Sequence, residues 1–263
     1  MKSRCKRVIG VVIVKNNWAV QSSRFNNYLP LGSPLKLVEN LDRWGADEII
    51  IKDIDASANN NGPNFDLIDK IGNLGISTPI SYGGGIRNPV EASRIIRMGF
   101  ERIIYNQLFL KSDEDIFKKI ANTIGSQAVI ISIPSIIKEK KLFFYNYLKK
   151  EIIEFDEKKL RKIEPYYSEI IVEDVLNDGM FNAFNEEMLE LYLNKKFKNK
   201  LILFGGITNL ENIYKYLSNN SVEGVSIGNS LNYKENAIQN IKKYLIKKNP
   251  DIVRAPYFEK KIL

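Results

Sequence analysis

Apolar, β-branched runs alternate with segments of helical periodicity along most of this chain. Arg7–Val14, Glu48–Lys52, Pro79–Tyr82, Arg102–Tyr105, Ala128–Ile133, Glu169–Val172, Leu201–Phe204 and Gly224–Ile227 read as eight strands. Between them, Leu35–Trp44, Pro89–Met98, Asp113–Ile124 and Leu210–Leu217 place apolar residues at helical spacing. Several strands are short, continuous apolar runs, the pattern of a parallel sheet covered on both faces. Eight such βα units close into a (β/α)8 TIM barrel, and 263 residues suit one such domain over residues 1–263. Gly45, Gly99 and Gly125 stand where helices should end, and Pro89 and Asp113 where helices should begin. Lys138–Phe155 departs from the pattern: two apolar stretches, Leu142–Tyr145 and Glu151–Phe155, flank a lysine pair. This predicts a β-hairpin after strand five. Phe25–Pro34 and Asn59–Pro63 are expected to be loops after strands one and two, on the face of a barrel that carries function.

Composition narrows the chemistry. The chain has no histidine and a single cysteine, Cys5. Ser/His and Cys/His nucleophile pairs, imidazole metal sites and an intrachain disulfide are therefore excluded. Acid–base work would fall to carboxylates, Lys, Tyr or the lone Cys. No metal or cofactor is expected. The net charge of +8 is spread over helices and tail without a basic-aromatic face, which favours a solvated surface or an acidic partner over nucleic acid. No apolar run reaches the length of a membrane span. Met1-Lys2-Ser3-Arg4 leads straight into a strand without a small-residue cleavage site, so no signal peptide and a cytoplasmic location are expected.

Two glycine runs carry the candidate binding chemistry. Gly83-Gly84-Gly85-Ile86 and Gly205-Gly206-Ile207 each follow an apolar strand and precede a helical pattern. A strand, a glycine turn and a helix start present backbone amides to a phosphate. The same motif half a chain apart points to a duplicated architecture with two anion sites. The same glycines would equally serve as tight strand-to-helix turns.

Further stretches are more specific: Arg7-Val8-Ile9, Gly45-Ala46-Asp47-Glu48, Asp53-Ile54-Asp55-Ala56-Ser57, Glu91-Ala92-Ser93, Gly125–Val129 and Asn177-Asp178-Gly179. With Tyr82–Ile86, and in this order, they make nearly the whole chain resemble the cyclase subunit of imidazole glycerol phosphate synthase (HisF). The resemblance implies a half-barrel duplication that holds two phosphates of a ribonucleotide substrate. Gly83, Gly84, Gly85 and Asn106 would serve one phosphate, and Gly205, Gly206, Gly228 and Asn229 the other. One departure touches the first of these sites: the family has a threonine where this chain has Gln107.

The resemblance also implies two catalytic aspartates, at the ends of strands one and five. Their places are taken by Ile13 and Pro134, which carry no proton. Loss of one general acid or base typically costs about 10²–10⁴-fold in rate. The family's substrate-binding lysine after strand one is replaced by Gln21. Alternation along the strands points Lys52 and Glu173 inward, where the family is usually uncharged. Lys52, Asp53 and Glu173 are the candidate groups of a repurposed pocket, with Asp174 and Asp178 nearby. An ion pair, or exposure at the rim, would explain Lys52 and Glu173 as well.

What the chain keeps is a ring of four charges at the starts of strands one, two, four and six: Arg7, Glu48, Arg102 and Glu169. In the family such a ring forms the ammonia entrance, where a HisH-like glutaminase docks at the barrel bottom. A plug that merely closes the floor is the other reading. The pattern is similar to the HisF-like branch associated with acetamidino modification of surface-polysaccharide sugars in lipopolysaccharide biosynthesis. That resemblance implies an ammonia-conducting subunit of a glutamine amidotransferase complex, without cyclase activity of its own. Its partners would be the glutaminase, a third sugar-amidating enzyme and a phosphorylated small molecule or nucleotide sugar. Two alternatives stay open: a histidine-pathway cyclase with relocated acids, and a non-catalytic anion-binding scaffold.

Overall fold

The inward and outward alternation of the apolar runs resolves into two cores in the computed structural model, which describes residues 5–59, 61–106, 114–181 and 183–255. Gln107 and Asp113, both named above, lie outside the described residues. The strands are β1 (Arg7–Lys15), β2 (Trp18–Ser23), β3 (Asn27–Gly32), β4 (Glu48–Asp53), β5 (Ile80–Gly83) and β6 (Arg102–Tyr105) in the first half. In the second they are β7 (Val129–Lys138), β8 (Lys141–Asn146), β9 (Glu151–Glu154), β10 (Glu169–Asp174), β11 (Lys200–Phe204) and β12 (Val222–Ile227). The described helices are α1 (Pro34–Arg43), α2 (Ile54–Ala58), α3 (Phe65–Gly72), α4 (Pro89–Arg97), α5 (Glu114–Ile124), α6 (Glu157–Lys162), α7 (Glu186–Asn194), α8 (Leu210–Leu217) and α9 (Ala237–Lys248).

Eight strands pair in parallel in the order β1-β4-β5-β6-β7-β10-β11-β12, and β12 returns to β1 to close the barrel. The larger core lies between this barrel and its helices. The smaller one fills the barrel with Ile9, Val11, Ile13, Ile50, Ile104, Ile130, Ile171, Ile202 and Phe204. Helix starts are set locally: Asn88 accepts from the Glu91 amide while Pro89 opens α4, and Asn64, Asn185 and Asn209 cap α3, α7 and α8.

The hairpin predicted after strand five is present as β8 and β9. The stretch Phe25–Pro34, expected to be a loop, is not one: β3 occupies most of it and pairs with β2. β1 runs on to Lys15, turns through Asn16 and Asn17 (φ 50° and 62°), and returns as β2. β7 does the same through Glu139 and Lys140 (φ 51° and 60°) into β8. Two left-handed residues match the twist of a two-residue hairpin. The Asn-Asn pair carried that signal in the sequence; the Glu-Lys pair did not.

One strand and the turn beside it correspond between the two halves. Glu48-Ile49-Ile50-Ile51-Lys52-Asp53 in β4 and Glu169-Ile170-Ile171-Val172-Glu173-Asp174 in β10 are both buried throughout. A Cβ on Gly84 would sit 2.5 Å from the Asp53 carbonyl oxygen, and one on Gly205 2.5 Å from that of Asp174. With φ of 153° and 109°, both positions require glycine on two separate grounds.

Candidate functional site

Arg7, Glu48, Arg102 and Glu169 each begin a barrel strand, so alternation turns all four side chains to the axis at one end. They close into a ring. Arg7 Nη1 lies 2.7 Å from Glu48 Oε2, and its other nitrogen pairs with Glu169. Arg102 bridges Glu169 and Glu48 from the opposite side. Every charge thus has two opposite neighbours, which offsets the desolvation of four ions at one place. Burial pulls the Arg7 guanidinium down, but Glu48 and Glu169 outweigh it and hold the group above its ordinary value. Ser81, which was not singled out in the sequence, donates to Glu48 Oε1 at 2.6 Å. An isolated polar residue at an inward strand position is the signal that would have found it.

At the opposite end of the barrel, Lys52 and Glu173 meet. Their side chains form a buried ion pair, and Ser132 donates to the same carboxylate. The ammonium lies 5.3 Å from the Phe25 ring centre and 5.0 Å from that of Phe204. Strand register places Ile13 beside Lys52 and Pro134 beside Glu173. The two positions where the resemblance places acids are thus neighbours of Lys52 and Glu173. The ion-pair reading of Lys52 and Glu173 is therefore the one the geometry meets.

The remaining carboxylates near the mouth hold backbone. Asp53 accepts from the Ala56 amide and caps α2. Asp174 accepts from the Asn177 side chain at 2.7 Å and the Asn185 amide at 2.9 Å. Asp178 accepts from the Ser22 hydroxyl at 2.6 Å and the Phe25 amide, tying the β2–β3 hairpin across the mouth. Burial raises all three above the usual carboxylate range, against these hydrogen bonds. Gln21 lies in β2 and pairs with Leu29 of β3.

The two glycine turns differ in their surroundings. Beside the first, a cavity is lined by Phe25, Tyr28, Lys52, Asn106, Tyr145 and Tyr147. The Gly85 amide donates to Ser57 Oγ at 3.1 Å, and Asn106 accepts from the Tyr147 hydroxyl at 3.0 Å. Burial raises the Tyr147 phenol. The second turn opens on a cavity lined by Gly205, Gly206, Thr208, Gly228, Asn229 and Ser230, with Phe181 and Tyr233 at its edge. Among the described residues no protein group takes the Gly206 amide. The Asn229 side chain clamps β2: its Nδ2 donates to the Ser22 carbonyl at 2.6 Å, and its Oδ1 accepts from the Ser22 amide.

Among the described residues no group of three or more metal-ligating side chains gathers, and no helix is long and apolar enough to cross a membrane. The backbone amides and hydroxyls at the Gly205-Gly206 turn are hydrogen-bond donors, the chemistry that an anion requires. Proton transfer by Glu173 would first require release from Lys52 and Ser132.

Comparison with known proteins agrees with this geometry. The chain is 30% identical over 236 residues to a Leptospira interrogans protein named "Putative imidazole glycerol phosphate synthase subunit HisF", covering 87% of this chain and 90% of the relative. It is 29% identical to the imidazole glycerol phosphate synthase subunit HisF of Buchnera aphidicola, over 94% of this chain and 98% of the relative. With the corresponding Dictyoglomus thermophilum subunit it shares 28% identity, over 92% and 96%. The family model described as "Histidine biosynthesis protein" matches residues 7–237. On this fold, this duplication and that match, the chain belongs to the HisF-like histidine biosynthesis protein family.

Proposed function

We propose that the chain is a HisF-like, ammonia-conducting subunit of a glutamine amidotransferase complex. It docks a HisH-like glutaminase at the ringed end of the barrel. Ammonia then passes to an acceptor at the opposite mouth, for acetamidino modification of a surface-polysaccharide sugar precursor by a third enzyme. The observation that carries this reading is the closed ring of Arg7, Glu48, Arg102 and Glu169 at one end, combined with Ile13 and Pro134 at the other. A chain relieved of all function would have no reason to lose both acids and keep four mutually paired charges. The apolar interior above the ring favours neutral ammonia over ammonium, because an unpaired ion there is costly. The chain has no histidine with which to activate a glutaminase thiolate, so the nitrogen source must be a separate subunit.

Arg7→Ala combined with Glu48→Ala should abolish glutamine-dependent amidation and spare amidation driven by free ammonium. If both nitrogen sources serve the variant as well as the parent, the reading is wrong.

A second reading is favoured by the names of the relatives: a cyclase of histidine biosynthesis with relocated acids. Its candidates, Asp53 and Glu173, are occupied by the α2 cap and by Lys52. Complementation of a cyclase-deficient strain decides between the two, and robust growth without histidine would overturn the first.

A further inference from the structure

We infer that Lys52 is a nucleophile toward an uncharged aldehyde or ketone, which it holds as a protonated imine in the cavity of the first half. The inference goes beyond the conduit reading and does not depend on it.

Placement is the first ground. Lys52 stands near the C-terminal end of β4, the barrel face that carries chemistry in this architecture. Glu173 reaches it from β10, the strand directly across the ring. Both side chains line the cavity beside the first glycine turn, yet Lys52 is only 8% exposed and Glu173 1%. A buried ion pair is a weak source of stability, and apolar side chains of similar volume often serve as well. The fold therefore gives no reason of its own for a lysine here.

The second ground is what surrounds the amine. It lies against the rings of Phe25 and Phe204. A lysine shut among apolar side chains is the ordinary source of a nucleophilic amine. Ile13 beside Lys52 and Pro134 beside Glu173 take no proton. Asp53 accepts from the Ala56 amide, and Asp178 from Ser22 and Phe25. Glu173 is thus the carboxylate placed to receive the Lys52 proton, which moves along a hydrogen bond that already exists.

The step balances. Glu173 takes one proton from the ammonium, and the neutral amine attacks the carbonyl carbon. The C–N bond forms, and the proton lost by nitrogen passes to the former carbonyl oxygen. Glu173 then returns its proton to that hydroxyl, which leaves as water. The product is a protonated imine beside an ionised Glu173. One positive and one negative charge face each other before and after, so a single carboxylate compensates both states.

The lining sets the class of carbonyl compound. Its amide at Gly85 is taken by Ser57, and Asn106 accepts from Tyr147. Lys52 is matched by Glu173, which leaves no counter-charge for an anion. Tyr28, Tyr145 and Tyr147 supply rings and hydroxyls, suited to a small hydroxylated aldehyde or ketone.

The test is trapping on the purified full chain with glycolaldehyde or dihydroxyacetone and sodium cyanoborohydride, with modified lysines counted by peptide mass spectrometry. In the folded chain Lys52 should be modified about tenfold faster than the median exposed lysine. A buried lysine with a structural role alone would be among the slowest. With glyoxylate, which carries a negative charge, the preference should fall about threefold or more. Intact-mass kinetics should show one fast addition, absent in Lys52→Arg. Glu173→Gln should slow modification of Lys52 about tenfold and leave the other lysines unchanged. Should that variant misfold by circular dichroism, the parent in urea serves instead, where the preference for Lys52 should vanish. Modification of Lys52 no faster than of exposed lysines would overturn the inference. So would a preference that persists in urea, that ignores Glu173→Gln in a folded variant, or that is greater with glyoxylate.

Discussion

In the first half of the barrel the Gly85 amide gives its hydrogen to Ser57, whereas in the second half the equivalent Gly206 faces an open cavity. The backbones are the same: Gly85 and Gly206 have φ of 67° and 69°, and each preceding glycine packs on the strand-end aspartate of its half. A glycine turn is therefore a scaffold requirement first. Whether it is also an anion site depends on what the neighbouring loops put against it. The same lesson holds for charge. β4 and β10 share a pattern and differ at one inward position, Lys52 against Glu173, and that single difference turns a repeated strand into an ion pair across the barrel.

The largest effect should come from splitting that pair. Lys52→Met or Glu173→Leu alone leaves a buried charge uncompensated and should cost about 3–5 kcal/mol in urea unfolding. The double substitution should recover most of the loss. If each single change costs under about 1 kcal/mol, the two charges are not bound to each other as described.

Next come the paired glycines. Gly84→Ala and Gly205→Ala each bring a close backbone contact and a strained φ, and each should destabilise by about 2–4 kcal/mol. Similar costs sharpen the equivalence of the halves; a neutral change in one breaks it.

A smaller effect concerns pH. Asp53 and Asp174 are both held above the ordinary carboxylate range, mainly by burial. The folded chain therefore keeps their protons to a higher pH than the unfolded chain does. Their favourable contribution is fully present below the unfolded value of about 3.9 and is lost as pH rises through the folded value. Asp53→Asn and Asp174→Asn should each flatten the decline in stability with rising pH, by at most about 1.4 kcal/mol per pH unit for one proton. Urea titrations from pH 4 to 7 measure this, and a steeper decline in either variant contradicts the assignment.

The smallest effect tests the occupied turn. Ser57→Ala releases the Gly85 amide and should raise affinity for inorganic phosphate a few-fold, with a second binding event in calorimetry. An unchanged isotherm would mean that Ser57 is not what closes the first cradle.

Much of this was readable before the fold was known. The eight barrel strands follow from continuous β-branched runs, and the four floor charges stand at their starts. The hairpin after strand five announced itself by a break in the helical rhythm. The β2–β3 hairpin did not, because Gln21, Ser22 and Ser23 dilute the apolar alternation and the strand is held by Asp178 and Asn229 from far along the chain. Ser81 and Ser132 were missed because a lone serine at an inward strand position signals a polar contact without naming the carboxylate it serves, which lies on another strand.

The family resemblance implies that Ile13 and Pro134 stand at acid positions; by itself the sequence determined the eight barrel strands, the repeated glycine turns and the charges that begin four of the strands. These are properties of residue type and period, set by which side chains can enter a core and which backbone positions tolerate only glycine. Only the tertiary structure decided that Lys52 finds Glu173, that Ser57 and Tyr147 occupy the first glycine turn, and that the second stays open beside two exposed rings. Those outcomes depend on contacts between residues as much as 121 positions apart, which no local pattern encodes.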